Sequence, residues 1–171
     1  MPGDDQLLPA KETVGKRKRK PPANSVKIGT AGFDQKGWRG PIYPPGTKPA
    51  DFLTAYQARF SWVEINSTAY HIPTLDQVNK WAAQCSKGFQ ISLKVPMQIT
   101  HEHRLGESSH GHLQRFVSAA LHLGDFLGPV LLQIPRSLTA NVQLLRELRP
   151  YLQGIQVAFE PRHGDSYIYV C

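Results

Sequence analysis

Residues 62–66, Trp-Val-Glu-Ile-Asn, decide the fold because their pattern recurs along the chain. Val63 and Ile65 are apolar and β-branched, and they alternate with the polar Glu64 and Asn66, which is the period of a β-strand with one buried face. An amphipathic helical pattern begins a few residues later. A short strand followed by an amphipathic helix is the repeating unit of α/β folds, so we predict a parallel sheet.

Four more strands are predicted, two of them ended by a proline, and they cover residues 26–30, 89–95, 129–134 and 155–160. Helices are predicted between the strands from apolar side chains at helical spacing, namely Phe52, Leu53, Tyr56 and Phe60, then Leu75, Val78, Trp81 and Ala82, then Leu113, Phe116, Val117, Ala120 and Leu121, and last Val142, Leu145, Leu148 and Leu152. Thr74 and Gln77 have the spacing of a capping box at the start of the second helix.

Two architectures accommodate this alternation of strands and helices. A doubly wound sheet usually carries a glycine-rich phosphate turn directly between its first strand and first helix. Gly29 and Gly32 lack the third glycine of that turn, and the first helix starts far downstream. The pattern therefore favours an α/β barrel of the (β/α)₈, TIM-barrel-like class, with about five of the eight βα units present.

Polar side chains stand at the end of every predicted strand. Barrel enzymes build their sites at the C-terminal ends of the strands, and alternate residues of a strand share a face. Glu64 therefore pairs with Asn66 on one face, and Lys94 with Ser92. We expect one mouth lined by the strand ends Thr30, Glu64, Asn66, Ser92, Lys94, Gln133 and Glu160, followed by Arg162 and His163.

Six motifs, in this order and at this spacing, carry a family resemblance: IGTAGF (28–33), WRGPIYPPG (38–46), VEINSTAY (63–70), LKVPMQITH (93–101), LGPVLLQIP (127–135) and VAFEPRH (157–163). They resemble the strand-end motifs of the YecE-like family, also called domain of unknown function 72. The resemblance implies a TIM-barrel-like fold without an established substrate. It also implies a pocket formed by Thr30, Gly32, Trp38, Arg39, Tyr43, Glu64, Asn66, Thr68, Tyr70, Lys94, His101, Gln133, Glu160, Arg162 and His163.

Members of that family continue with three more βα units, whereas this sequence ends at Cys171. Five strands cannot close a barrel, so the first and fifth strands would expose unpaired backbone. A truncated chain is the simplest interpretation, and completion by a partner chain or a nonfunctional remnant are the alternatives. We expect association or aggregation through the open sheet edges.

The expected mouth carries an acid–base set. Glu64, Lys94 and Glu160 are the candidate catalytic residues, because a carboxyl group buried away from the lysine would have a raised pKa. Arg162 and Lys94 suit an anionic group. The alternative is a satisfied salt-bridge network without catalysis. The candidate substrate-binding residues are Thr30, Trp38, Tyr43, Asn66, Tyr70, His101, Gln133, Arg162 and His163.

Histidines and aromatic residues near the mouth leave further alternatives open. Ligation of a divalent metal by His71, His101 and His163 with the two glutamates is an alternative, but no ligand spacing supports it, so we expect no metal and name no cofactor. The four histidines of a predicted polar loop, among them His103, are expected to face solvent. Four aromatic residues cluster in the first two predicted βα loops, namely Phe33, Trp38, Tyr43 and Tyr70. They could stack on a sugar or base, or pack over the barrel top.

The net charge of +7 is concentrated at the N-terminus. Residues 1–24 hold six of the twenty Lys and Arg residues, chiefly in the run 16–20, and are predicted to be a disordered basic tail before a barrel domain over residues 25–171. The run is a candidate import signal or phosphate-contacting arm, or only a solvated tail. The sequence has no membrane-length apolar window, no secretory signal and no cysteine motif. We therefore expect an intracellular protein, cytoplasmic or nuclear.

Two classes of function therefore remain open. The first is an enzyme that acts on a small anionic or phosphorylated substrate and is impaired by truncation. The second is a noncatalytic protein that binds a ligand or a nucleic acid. An enzyme should lose turnover, but not its fold, on Glu160→Gln or Lys94→Ala, whereas a nucleic-acid role predicts strong salt dependence of binding.

Overall fold

A computed structural model describes residues 26–138 and 142–162, so the predicted basic tail and His163 lie outside the described residues. Each of the five predicted strands is present, with somewhat different bounds. The strands are β1 (Gly29–Ala31), β2 (Trp62–Ile65), β3 (Gln90–Leu93), β4 (Val130–Ile134) and β5 (Val157–Pro161).

All strand pairs are parallel and follow the order of the chain. β1, β2 and β3 form one sheet, and β4 pairs with β5. Bridges from Ile91 to Leu127 and from Lys94 to Leu131 connect the two groups, and the Val95 N–H donates to the Leu131 carbonyl at 2.9 Å. This order lacks the reversal of a doubly wound sheet and is compatible with a TIM-barrel-like fold.

The helices follow the strands as predicted, and they are α1 (Phe52–Tyr56), α2 (Leu75–Gln84), α3 (His110–Leu121) and α4 (Val142–Leu148). The capping box of Thr74 and Gln77 is confirmed, since the side chain of each residue bonds to the backbone N–H of the other. None of the helices in the described ranges is long and apolar enough to cross a membrane.

The segment between β3 and α3 is predicted to be one polar loop, but the structure contains helical turns there. Gln98–Glu102 form a single π-helical turn that contains His101. Two of the four predicted loop histidines, His110 and His112, instead belong to the first turn of α3. The apolar residues that would mark the start of that helix come only at Leu113, so the pattern alone placed the helix too late.

Two other predictions miss at the edges of the sheet and of the helices. β1 starts three residues later than predicted, since its first partner pair is Gly29 with Trp62, and Val26 and Ile28 before it are 88% and 67% exposed. Three residues assigned to apolar helix faces are also exposed, namely Leu75, Leu121 and Val142. They stand at the ends of their helices, where the described neighbours cover less of the helix surface.

The core lies between the sheet and the helices. Val63 and Ile65 of β2 and Ile91 and Leu93 of β3 are buried against it, together with the aromatic ring of Tyr56 from α1. The Tyr56 hydroxyl accepts the Thr30 N–H at 2.9 Å and donates to the Trp62 carbonyl at 3.0 Å. A helix side chain thus joins the backbones of β1 and β2, which fixes the position of the sheet's first edge.

Candidate functional site

The register of the strands places four predicted site residues on one face of the sheet. Glu64 lies beside Ser92, Lys94 beside Leu131, and Gln133 beside Glu160. The residues between them in each strand point the other way, into the core beneath the helices. Polar side chains from β2, β4 and β5, and from the residue that follows β3, therefore meet near the C-terminal ends of the strands.

On the β4–β5 side of this face, three polar side chains are bonded to one another. Gln133 is 7% exposed and donates from Nε2 to Glu160 Oε2 at 2.7 Å. Arg162 donates from Nε to Glu160 Oε1 at 2.8 Å. Burial acts to raise the pKa of Glu160, but these two hydrogen bonds and the charges of Arg162 and Lys94 outweigh it and hold the pKa below its usual range. We call these three residues the paired half of the site.

On the β2–β3 side, Glu64 and Lys94 have no such partners. Within residues 26–138 and 142–162, neither side chain makes a hydrogen bond or a salt bridge. Burial raises the pKa of the Glu64 carboxyl, the charge of Lys94 lowers it in part, and the charge of Glu160 raises it further. We call Glu64 and Lys94 the unpaired half. The two glutamates thus share a face but differ in their ease of ionisation.

Backbone contacts hold the unpaired half in place. Thr68 is fully buried, and its hydroxyl lies 2.8 Å from the carbonyl oxygens of Ile65 and Lys94, to which it can donate. The same oxygen accepts the Lys94 N–H at 3.0 Å. Thr68 therefore ties the ends of β2 and β3 together, which is a positioning role rather than the ligand contact that the resemblance implies.

The strand face below Glu64 is closed by Ser92, which the predicted mouth includes, and by Trp62 and Gly128, which it omits. Trp62 donates from Nε1 to Ser92 Oγ at 2.8 Å. Gly128 packs against this pair so closely that a Cβ atom there would lie 2.9 Å from Ser92 Oγ and 3.4 Å from Trp62 Nε1. The period that selected Glu64 also selects Trp62, two residues earlier, so the signal was present in the sequence.

Thr30 lies on the other face of the sheet. It pairs with Val63, whose side chain is buried in the core, and its hydroxyl bonds to the Gly32 carbonyl and the Tyr56 hydroxyl. The expected contribution of Thr30 to the mouth is therefore corrected. Its neighbour Ala31, beside Glu64, occupies the site face instead.

Two aromatic residues predicted to bind substrate belong to an aromatic cluster over α1. Tyr43 is fully buried, stacks on Phe52 with ring centroids 4.6 Å apart, and donates its hydroxyl to the Phe33 carbonyl. Trp38 lies 6.1 Å from the Tyr56 ring and is stacked on it. Burial raises the pKa of Tyr43 to about 12, so it remains a donor. The structure favours the packing alternative for both residues.

The other predicted residues near the mouth are exposed. Asn66 begins a 3-10 turn over Asn66–Ala69, so the strand alternation that grouped it with Glu64 ends at Ile65. Tyr70 is 76% exposed. His101 Nδ1 bonds to Thr100 Oγ at 2.7 Å. The two remaining pocket residues implied by the resemblance have structural contacts, Gly32 through its N–H to the Glu64 carbonyl and Arg39 through its guanidinium 5.5 Å from the Phe52 ring.

Other reactive side chains contribute little to the site. Over the described ranges, no three or more His, Cys, Asp and Glu side chains are grouped so that they could hold a metal ion. Burial raises the pKa of the Cys85 thiol to about 11, so it stays protonated, and its Sγ bonds to the Trp81 carbonyl at 3.2 Å. The candidate chemistry therefore rests on Glu64, Lys94 and the paired half.

Comparison with solved structures bears on the fold. The fold resembles that of a DUF72 family protein from Enterococcus faecalis V583, at 18% identity and a TM-score of 0.65, over 81% of this chain and 51% of that one. It also resembles a DUF72 family protein from Thermotoga maritima MSB8, at 27% identity and a TM-score of 0.62, over 82% of this chain and 56% of the other. The chain thus spans about half the length of these solved structures.

No curated protein matches the chain. A sequence profile described as "Protein of unknown function DUF72" matches residues 27–167, which is most of the chain and includes every residue of the paired and unpaired halves. On the strength of that match, the chain belongs to the DUF72 family, for which YecE-like is another name.

Proposed function

We propose that Glu64 exchanges a proton with a small anionic substrate, phosphorylated or carboxylated, that Lys94 helps to bind. The observation that carries this proposal is the opposite shift of two pKa values on one face, raised for Glu64 and lowered for Glu160. Enzymes separate the roles of two carboxyl groups in this way, because one group can carry a proton at a pH where the other is ionised.

Each residue then has a separate role. Glu64 is the acid or base, since a raised pKa brings its protonation closer to neutral pH. Lys94 carries an ammonium group without a salt-bridge partner in the described residues, so it can bind an anion without breaking an existing ion pair. Glu160 stays ionised and orients Arg162, which retains guanidinium N–H groups that could reach the same anion.

The proposal includes a larger barrel. We infer that the described units are the first five of eight in a (β/α)₈ barrel, and the support is the parallel order of the strands together with a length about half that of the solved relatives. Three further units would enclose the site and strengthen the desolvation of Glu64. The activity of this chain alone is therefore expected to be weaker than that of a complete relative.

A noncatalytic anion-binding role is the second candidate. The lack of a partner for Lys94 favours it, because that feature serves binding whether or not a proton is transferred. The two candidates differ in what they require of Glu64. Catalysis needs a Glu64 pKa above the ordinary glutamate range, whereas binding alone does not.

Two measurements on the purified chain test these candidates. Millimolar inorganic phosphate should raise the melting temperature, and Lys94→Met should abolish the rise, whereas the control Lys80→Met should retain it because Lys80 lies on the exposed side of α2, paired with Asp76. Carboxyl carbon NMR should show Glu64 titrating above, and Glu160 below, an ordinary glutamate. Phosphate stabilisation with an ordinary Glu64 titration supports binding alone, and no dependence on Lys94 refutes both candidates.

A further inference from the structure

Trp62 lies on the same face of β2 as Glu64, two residues closer to the start of the strand. Its partner on β1 is Gly29, while Glu64 lies between Ala31 of β1 and Ser92 of β3. Alanine and serine are small. Of these neighbours, only Trp62 therefore presents a large apolar surface on the face that carries the Glu64 carboxyl.

The two edges of the Trp62 indole reach different strands. On one edge, Nε1 donates to Ser92 Oγ at 2.8 Å. On the other edge, a Cβ atom at Gly29 would lie 2.7 Å from Trp62 Cε3, so the six-membered ring rests against β1. Ser92 is the register partner of Glu64. The indole therefore extends across the sheet from β1 to β3 and leans toward the level of Glu64.

Small residues on both sides hold the indole in this position. A Cβ atom at Gly128 would lie 3.4 Å from Nε1, so the ring has little free space on that side as well as at Gly29. Ser92 is 2% exposed, and moving the indole away would leave a buried N–H without its acceptor. A closely packed side chain of this kind keeps one rotamer. The indole is therefore a fixed apolar surface with its one donor already paired.

We propose that Trp62 is a positioning residue, whose indole forms an apolar floor beneath the Glu64 carboxyl and keeps water from that side of it. The inference rests on the proton-exchange role proposed for Glu64. An apolar wall removes hydration from a carboxyl group and disfavours its ionised form, which is a known way to keep a catalytic acid protonated.

The causes of the Glu64 pKa shift are consistent with this role. Burial is the largest of them and raises the pKa. The charged groups that act on Glu64 from the other strands are Lys94 after β3, which lowers the pKa, and Glu160 of β5, which raises it. β1 places the uncharged Ala31 beside it. The loss of hydration therefore needs an apolar neighbour, and Trp62 supplies one.

The first test measures the pKa of Glu64 by carboxyl carbon NMR in the full chain and in two Trp62 variants. Trp62→Phe keeps an apolar ring and should retain most of the raised pKa. Trp62→Ala removes the ring and admits water, so the pKa should fall close to that of an ordinary glutamate. Trp81→Ala is the matched control, because it removes a half-buried indole from α2, where it packs against the core, and should leave the Glu64 pKa unchanged.

A second measurement uses the unmodified chain and applies even where Trp62→Ala fails to fold. The indole N–H signal of Trp62 in a proton–nitrogen correlation spectrum, identified by its loss in Trp62→Phe, should move with pH at the midpoint of the Glu64 titration. The signals of Trp38 and Trp81 should not follow that midpoint. Glu64→Gln should abolish the movement of the Trp62 signal.

The outcomes separate this inference from the proposed function. A raised Glu64 pKa that persists in folded Trp62→Ala, or a Trp62 signal that does not follow the Glu64 titration, would overturn the role of Trp62 and leave proton exchange by Glu64 standing. Equal loss of the raised pKa in Trp62→Phe and Trp62→Ala would assign the effect to the bond with Ser92 and would overturn the apolar floor. An ordinary Glu64 titration in the unmodified chain would refute both proposals.

Discussion

The paired and unpaired halves of the site lie side by side on one sheet face, yet they hold glutamates of different character. Glu160 is fixed by hydrogen bonds from Gln133 and Arg162 and is easily ionised. Glu64 has no hydrogen-bonding partner among the described residues and resists ionisation. Strand position puts both side chains on the same face of the sheet. The neighbouring side chains then determine which glutamate can exchange a proton.

The largest expected effect comes from breaking the backbone support of the unpaired half. Thr68→Val removes a buried hydroxyl and leaves the Lys94 N–H without its acceptor. The cost should be about 2–3 kcal/mol in the free energy of unfolding, measured by urea titration. Thr47→Val is the matched control, since its hydroxyl makes only a local turn bond to the Pro44 carbonyl and should cost less than about 0.5 kcal/mol. Equal losses would show that Thr68 does not support this half.

A smaller loss is expected from converting the paired half into an unpaired one. Gln133→Leu keeps the volume of a nearly buried side chain but removes the donor to Glu160. Stability at neutral pH should fall by about 1–2 kcal/mol, and the pKa of Glu160 should rise. Urea titration and carboxyl NMR measure the two quantities. An unchanged Glu160 titration would mean that Arg162 and Lys94 lower its pKa without help from Gln133.

The smallest expected effects are opposite in sign for the two glutamates. Folding raises the pKa of Glu64, so the folded state favours its protonated form and loses stability as the pH rises through the folded pKa. Glu64→Gln should thus match the parent in acid and be slightly more stable above that pKa. Glu160→Gln should be less stable above the ordinary glutamate pKa, and the difference should vanish as the pH falls. Melting temperatures of both variants and the parent across that pH range measure these differences. A difference from the parent with the same sign for both variants would contradict the comparison.

The alternation of apolar and polar residues was sufficient to predict the five strands, and within β2 it also placed Glu64 on the face opposite the core. It could not place Thr30, because the face of a short strand depends on its register with a neighbour, and Thr30 pairs with the core residue Val63. The same alternation groups Asn66 with Glu64, but Asn66 lies outside the strand. Its 3-10 conformation ends the strand period, and no residue type before it signals that change.

The pattern also could not distinguish the two halves of the site. The bond from Gln133 to Glu160 joins residues 27 positions apart and exists only because β4 and β5 pair in one register. The roles of the aromatic residues Trp38 and Tyr43 were also ambiguous from sequence, because packing and ligand stacking use the same ring surfaces. Sequence therefore predicted where the polar residues meet better than which of them remain available to a ligand.

Gly128 shows how the depth of the site depends on a residue that has no side chain. A methyl group at this position would press on Ser92 Oγ and on the indole of Trp62, the two groups that close the strand face below Glu64. Every larger residue would therefore have to displace one of these two groups. The shape of the strand face below Glu64 is thus set in part by the loop that leads into β4, so a larger residue at position 128 is expected to change that surface.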